Sequence, residues 1–396
     1  MSPKWIHIFF SGDFRQLEPV TGRPLYSPFP TDKKWVNSIN CYIELQGMHR
    51  FIEDPEWGRI LKRIRNDEYT QHDIDEINKC VINGPMKDSR TMPVDVSYCV
   101  YGNADRTAIN AGVFSNVLKA HAKTTNEQPQ NMVAINASSM MRVSKSKTKT
   151  EMGVQDVRYV YGNCSDHRVR AKIRGRKGHF VDPLLKLYHH IPLMLLSNVD
   201  VPNGHANGTR VLLEGVVLKE RVVPGTVSID GLQCPLVDAS SVEHLVCSLV
   251  DSREKLFHIQ PKTFLCTVKA PVPKQFGGCT GVSVQFSASL TQFPLLVNNA
   301  TTGHKLQGQT KKNLVISVWS KKRNWNYVAL SRVKTRMGLY LVTPLPYNAD
   351  FSMTNELRQM LDTLQRKQPS VLQWNLAEER ERLERRRRHS FDVPLP

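Results

Sequence analysis

Two hydrophobic rhythms alternate along the 396 residues. In "DPEWGRILKRIRNDEYT", Trp57, Ile60, Leu61 and Ile64 recur at helical spacing, and Pro55 suits a first helical turn. Thr70 followed by Asp73 marks a second helix start, with Ile74, Ile77 and Val81 on one face. "VDVSYCV" reads as a buried strand and "NADRTAINAGVF" as the helix after it. Near the start, Ile6 to Phe10 is a short apolar run expected as a strand, opening into a polar turn with Asp13, Arg15 and Gln16. The residues from Thr21 to Asn40 are Pro-rich and irregular. Strand alternating with helix predicts a parallel α/β sheet.

The rhythm changes near residue 142. "RVSKSKTKT" and "RVRAKIRGRKG" bracket a poorly patterned basic stretch. Short alternating segments follow: "IPLMLLSNV", "TRVLLEGVVL" and "LFHIQPKTFLCTV". Asn203-Gly204, Asn207-Gly208 and Pro224-Gly225 punctuate them as turns. That pattern predicts a small β-barrel-like unit inserted into the α/β domain. The α/β pattern returns with "FPLLVNNATTGHKLQGQT", a strand at "NLVISVW", a helix through "NYVALSRVKT" and a strand at "GLYLVTPL". The tail "LAEERERLERRRRHS" is nearly all charge and helical in propensity, ending in Arg385 to Arg388. It suits a solvated helix end, or a nuclear-import or phosphate-binding run.

Charge narrows the partners. Lysine and arginine outnumber the acids by 54 to 36, a net charge of +18, which points to a polyanion and first to nucleic acid. Eight cysteines stand singly, with no CxxC and no histidine pair at ligand spacing, so neither a disulfide framework nor a metal site is expected. Reduced thiols suit a nuclear or cytosolic setting. The first residues carry no basic flank and only a five-residue apolar run, too short for a secretory signal, and no stretch approaches a membrane span.

Four polar clusters interrupt the α/β sequence: "GDFRQL" at 12–17, "GMHRF" at 47–51, "TTGHKLQGQT" at 301–310 and "YVALSRV" at 327–333. Each follows an expected strand or meets a helix boundary, where open α/β sheets collect ligand sites. Each also has an ordinary reading. Arg50 pairs with a surface carboxylate, Arg332 caps a helix, His304 is a satisfied loop histidine, and Gln16 and Gln307 tie loops together.

As an ordered set the clusters resemble the later motifs of RecD-like superfamily 1 helicases, above all the petite-integration-frequency group and its relatives in Helitron transposons. "FSGDFRQLEPV" is similar to their third motif, "ELQGMHRFIEDPEWGRIL" to the fourth, "ATTGHKLQGQT" to the fifth and "NWNYVALSRVKTRMGLYL" to the sixth. "NADRTAIN", "VDPLLKLY" and "PLMLLSNVDVPNGHANGT" extend the resemblance over residues 7 to 343. It implies an α/β fold with a RecA-like parallel sheet and an inserted small SH3-like β-barrel unit. The expected division is a remnant of the first lobe at 1–40, a second lobe at 41–115 and 287–346, an accessory insertion at 116–286 and a charged tail at 347–396.

The resemblance also implies roles. Gln16 senses the γ-phosphate or its water, and Asp13 lies on the same loop. Arg50 and Arg332 reach the phosphates, Arg332 as the arginine finger, because a planar guanidinium stays charged and grips phosphate oxygens in pairs. Gln307 and Gly308 face the nucleotide cleft. Thr302, His304 and Lys305 meet the DNA backbone, and Asn207 belongs to the accessory unit over single-stranded DNA. The implied cofactors are ATP and magnesium, and the implied partner is single-stranded or forked DNA, unwound 5′ to 3′ in a nucleus.

One part of the pattern is missing. No Gly-Lys dipeptide occurs, so no P-loop, and no acid pair ends an apolar strand ahead of Asp13. Asp75-Glu76 lies in a polar helical stretch. The chain is therefore expected to begin inside the first lobe and to have little ATPase activity by itself. Three readings stay open: the C-terminal part of a helicase, a domesticated non-catalytic DNA-binding module, or a chain whose first lobe comes from a separate polypeptide.

Overall fold

The computed structural model describes residues 8–19, 22–27, 36–45, 47, 49–89, 92–93, 96–124, 131–165, 174–175, 181–250, 252–271 and 283–368. Ile6, most of the basic stretch at 168–177 and the charged tail with Arg385 to Arg388 lie outside the described residues. Among the described residues, no helix is long and apolar enough to cross a membrane.

The helix Pro55–Asn66 begins where Asp54 accepts a hydrogen bond from Trp57 N–H at 3.0 Å, with proline in its first turn. It ends at Asp67, whose φ of 67° leaves the helical region. The helix Gln71–Asn78 opens on a reciprocal cap: Thr70 Oγ1 accepts from Asp73 N–H, and Asp73 accepts from Thr70 N–H. Trp57, Ile60, Leu61, Ile64, Ile74 and Ile77 form one face of a core shared with Cys99, Ile316, Trp325, Val328 and Leu341.

That core lies on a four-stranded parallel sheet, in the order Ala300–Thr302, Ser97–Val100, Leu314–Ile316, Leu339–Leu341. The long helix Asn103–Thr124 follows the Ser97–Val100 strand, as a parallel sheet requires of its crossovers. Parallel pairing, helical crossovers and an inserted β unit are the expected class: an α/β, RecA-like architecture.

The insertion comprises three further sheets among the described residues. One contains Leu184–Tyr188, Met132–Asn136, Leu232–Asp238 and Gly225–Ile229. The second runs Ser252–Ile259, Val242–Leu249, Arg210–Leu218, Pro192–Leu195, Leu295–Val297. The third is built on the ten-residue pair Lys262–Pro271 and Ser283–Gln292. Ile135, Leu185, Leu193, Val211, Leu245 and Phe293 fill the joint core of the first two. Only Asn298 and Asn299 separate the insertion's Leu295–Val297 strand from the edge strand Ala300–Thr302 of the parallel sheet.

Three local expectations are corrected. Ile8, Phe9 and Phe10 form no strand and are exposed, Phe9 at 92%. An apolar run needs a neighbouring strand for its ladder, and among the described residues no strand is registered against Ile8 to Phe10. The helix expected through Thr335 stops at Leu330, because Val333 instead bridges Lys311 in parallel register. Ahead of the charged tail stands a helix, Asn355–Gln365, capped by Thr354, whose Leu357, Met360 and Leu364 pack on Tyr26 and Val36.

Candidate functional site

Asp13 to Glu18 pack onto the lobe that carries the parallel sheet. Leu17 enters its core, and the buried Arg15 donates from Nη2 to Ile64 O at 3.3 Å and Phe351 O at 2.7 Å. A cation on the last carbonyls of Pro55–Asn66 complements that helix end. Burial pulls the Arg15 guanidinium below arginine's usual range. Asp13 accepts from Arg15 N–H at 2.9 Å and pairs with Arg65 at 3.5 Å. Gln16 is held by its backbone: its N–H donates to Asp13 O, and its carbonyl accepts from Asn324 Nδ2 at 3.0 Å.

Asn324 precedes the short helix Trp325–Leu330, and Ser331 and Arg332 follow it. Arg50 donates from Nη1 to Ser331 O at 3.0 Å. Arg332, only 3% exposed, donates from Nε to Val328 O at 2.8 Å, from Nη1 to Gln309 O at 3.4 Å and from Nη2 to Ser331 Oγ at 2.7 Å. Burial, with Arg50 adding to it, pulls Arg332 down to about 10. The structure thus brings Arg50 and Arg332 together around Ser331. Gln16 sits at the opposite end of a helix about 9 Å long. Tyr327, whose hydroxyl burial pushes above tyrosine's usual range, lies in the field of Asp13, Arg65 and Arg332. Arg65 does not stand out in the sequence, because it looks like an ordinary residue of an amphipathic helix, and Tyr327 lies within the "YVALSRV" cluster without being marked for a role of its own.

The second group lies at the carboxyl end of the parallel sheet, where such sheets bind ligands. Thr302 ends its edge strand opposite Val100, and the short helix Gly303–Leu306 begins there. A Cβ at Gly303 would stand 2.5 Å from Trp325 Nε1, so only glycine lets this turn close on the indole. His304 Nε2 lies 3.1 Å from Lys322 Nζ; burial and that lysine pull the histidine below its usual range, so it accepts as a neutral ring. Lys305 is exposed as a residue, yet burial of its ammonium, 3.4 Å from Met194 Sδ, and the nearby Arg106 lower it. Gln307 ends the helix half-buried, and the exposed Gly308 turns the chain at φ +79°.

Met194 belongs to the insertion, so Lys305 spans the seam between the two units. One residue later, Leu195 starts the loop that carries Asn207: Leu195 N–H donates to Thr209 O and Gly208 N–H to Leu195 O. Asn207 is exposed at the loop's far side, its N–H held by Asn198 Oδ1. The loop is braced by Lys262 Nζ on Ser197 Oγ and Asn198 O. On the other side, the buried Asn110 donates to Val297 O and accepts from Ala300 N–H, fixing the step between insertion and edge strand. Lys322 and Lys262 are cations of this ledge that no motif marked.

No protein-family model matches the chain, and no curated protein matches it by sequence. Solved structures do match. Pif1 helicase from Candida albicans agrees with a TM-score of 0.54 at 18% identity, covering 90% of this chain and 67% of its own. Pif1 from Bacteroides bound to ssDNA gives 0.52 at 17% identity, over 90% and 65%. The Bacteroides helicase in complex with ADP-AlF3 and ssDNA gives 0.50 at 17%, over 90% and 66%. The chain has the fold of a Pif1 helicase. It spans 65% of the Bacteroides Pif1 chain bound to ssDNA. On this fold, the two polar groups are the shoulder around Ser331 and the ledge at Thr302–Lys305.

Proposed function

We propose that this chain is the DNA-gripping, second-lobe part of a Pif1-like DNA helicase, in which single-stranded or forked DNA runs over the ledge and beneath the inserted β unit. The observation that carries this reading is the placement of Thr302, His304 and Lys305 beyond the carboxyl end of the parallel sheet, against Met194 of the insertion. Neutral donors and lysines on a ledge suit phosphate and sugar contacts, which position a strand without reading its sequence. The net charge of +18 supports a polyanionic partner. The motif order supports the RecD-like and Helitron relationship, and by that analogy 5′ to 3′ movement and a nuclear setting; the accessory unit expected at 116–286 is extended by the insertion strands up to Val297.

The nucleotide half of the reading rests on Arg50 and Arg332, with Asp13, Gln16, Gln307 and Gly308 as the further nucleotide-side residues that the resemblance implies. Two guanidinium groups fit the outer oxygens of an ATP phosphate. The residues present do not fit magnesium: Asp13 is already taken by Arg65 and Arg15 N–H, and no step is assigned to the metal. ATP-driven work therefore requires a first lobe carrying the phosphate loop, whether in the same polypeptide or a separate one. A second reading, a non-catalytic single-stranded DNA-binding module, is favoured by one observation: Arg332 spends Nε, Nη1 and Nη2 on its own chain.

Purified residues 1–396 test both halves. The expected result is binding of labelled single-stranded DNA by fluorescence anisotropy with no DNA-stimulated ATP hydrolysis. Robust turnover overturns the assignment of chemistry to a separate lobe, and absence of DNA binding overturns the whole reading.

A further inference from the structure

The Leu184–Tyr188 strand ends in a tight turn, closed by Ile191 N–H donating to Tyr188 O at 3.0 Å, with His189 and His190 at its corners. In a continuing strand, consecutive side chains leave on opposite faces, so adjacent histidines would not share a ligand. That is why the pair does not register as ligand spacing in the sequence. Here His190 takes φ +63°, the left-handed conformation that the second corner of such a turn adopts and that histidine tolerates better than most residues. The rings are thereby brought to 3.7 Å between centroids. Their Nε2 atoms lie 3.9 Å (His189) and 3.0 Å (His190) from one oxygen, Glu214 Oε2, on the Arg210–Leu218 strand. The other oxygen, Oε1, accepts from Ser248 Oγ at 2.5 Å, and Ser248 is fully buried.

We infer that His189, His190 and Glu214 form a divalent-metal site of the two-histidine, one-carboxylate kind, suited to zinc. Ligands about 2.0–2.2 Å from a tetrahedral zinc lie about 3.3–3.6 Å from each other. The 3.0 and 3.9 Å separations straddle that value, and all three ligand atoms lie within 4.8 Å of one another. Closing on a metal requires the rings to move apart from their present 3.7 Å separation and 32° tilt. Ser248 supplies the outer hydrogen bond that orients a ligating carboxylate.

The ordinary alternative is a hydrogen bond between His190 Nε2 and Glu214 Oε2 at 3.0 Å, which leaves His189 Nε2, 3.9 Å from the same oxygen, beyond hydrogen-bond reach. A cation satisfies all three groups at once. The histidine side chains are 45% and 47% exposed, which leaves the fourth position open to water. Such an ion clamps the Tyr188–Ile191 turn to the Arg210–Leu218 strand and, through Ser248, to Val242–Leu249. It braces the inserted β unit, apart from both the Ser331 shoulder and the Lys305 ledge.

The test is a calorimetric titration of zinc into the metal-stripped, reduced full chain, repeated on a His189→Gln/His190→Gln double variant and on Ser248→Ala. The histidines are exposed, so the double variant keeps the fold. The expected result is a zinc site in the parent that the double variant loses and that Ser248→Ala weakens about tenfold. Zinc should raise the melting temperature of the parent and not that of the double variant. With Co2+ as probe, the parent should show visible ligand-field bands without a thiolate charge-transfer band, which separates the site from the chain's eight cysteines. Equal zinc affinity in parent and double variant, thiolate ligation of Co2+, or no zinc binding at all would overturn the assignment.

Discussion

Positive charge is held in two different ways in the lobe that carries the parallel sheet. Around Ser331 and the end of the Pro55–Asn66 helix, Arg15, Arg50 and Arg332 are bonded to backbone carbonyls of Ile64, Phe351, Ser331, Val328 and Gln309. At the carboxyl end of the sheet, Lys305 meets a sulfur and Lys322 a neutral histidine. Carbonyls satisfy a buried guanidinium and fix the fold around it, at the cost of desolvation. A sulfur or an imidazole leaves an ammonium most of its hydrogen-bonding capacity. The shoulder's cations are spent within the fold, and those of the ledge keep bonding capacity for a ligand.

Substitutions can break or sharpen that contrast. The largest expected effect is on the frame that carries both groups. Asp73 is fully buried and accepts from Arg63 Nη2 at 2.5 Å and Nε at 2.9 Å, besides capping its own helix. Asp73→Ala should cost about 3 kcal/mol in urea unfolding, the low end for a broken buried pair because Arg63 is a third exposed. Burial pushes the Asp73 carboxyl up, but Arg63 and Thr70 outweigh it, so its folded value lies below the unfolded one. The gap between parent and variant should therefore be full above about pH 4 and shrink as pH falls through the folded value. A gap that widens in acid would contradict the pairing.

Next comes the joint between the two groups. Gly303→Ala places a methyl against Trp325 and should cost about 2 kcal/mol, while displacing His304 and Lys305 enough to weaken DNA binding. A stable, fully binding Gly303→Ala would mean that the ledge is not set by this contact. Arg332→Ala strips the donor from two carbonyls and should cost about 1–2 kcal/mol, with Arg332→Lys recovering little because lysine lacks the fork. If instead it leaves stability unchanged, the shoulder's cations are not spent within the fold. The smallest stability effect belongs to the ledge: Lys305→Ala should change unfolding by less than about 0.5 kcal/mol.

How far the sequence carries this picture depends on the range of each signal. Asp54-Pro55 and Thr70 with Asp73 are local devices, and the two helices they start are where the pattern places them. Asn355–Gln365 carries the same kind of signal, with Thr354 ahead of Leu357, Met360 and Leu364, but the run of charge beyond it masks the pattern. Ile6 to Phe10 has the apolar content of a strand, yet Ile8 to Phe10 adopt none, since periodicity says nothing of the neighbouring strand a ladder needs. In the insertion, strands such as "TRVLLEGVVL" are legible, while the parallel pairing of Leu236 with Ala134 is not, since register across a hundred residues has no local mark. The motifs locate Arg50, Arg332, Thr302 and Lys305, but their hydrogen bonds depend on tertiary contacts: Ser331 O for Arg50, Met194 Sδ for Lys305. Lys322, outside any recognisable cluster, becomes a candidate only through what it faces, and Tyr327, though inside the "YVALSRV" cluster, gains a role only from the charges around it.

The central claim is that the ledge, not the shoulder, takes the DNA. The direct measurement is the salt dependence of single-stranded DNA affinity for the parent, for Lys305→Ala/Lys322→Ala and for Arg332→Lys. Removing one lysine–phosphate pair should lower the slope of log affinity against log salt by about 0.7 on a single strand. The double lysine variant should therefore fall by about 1.4 and Arg332→Lys not at all. Equal slopes in the parent and the double variant, or a fall confined to Arg332→Lys, would contradict the account.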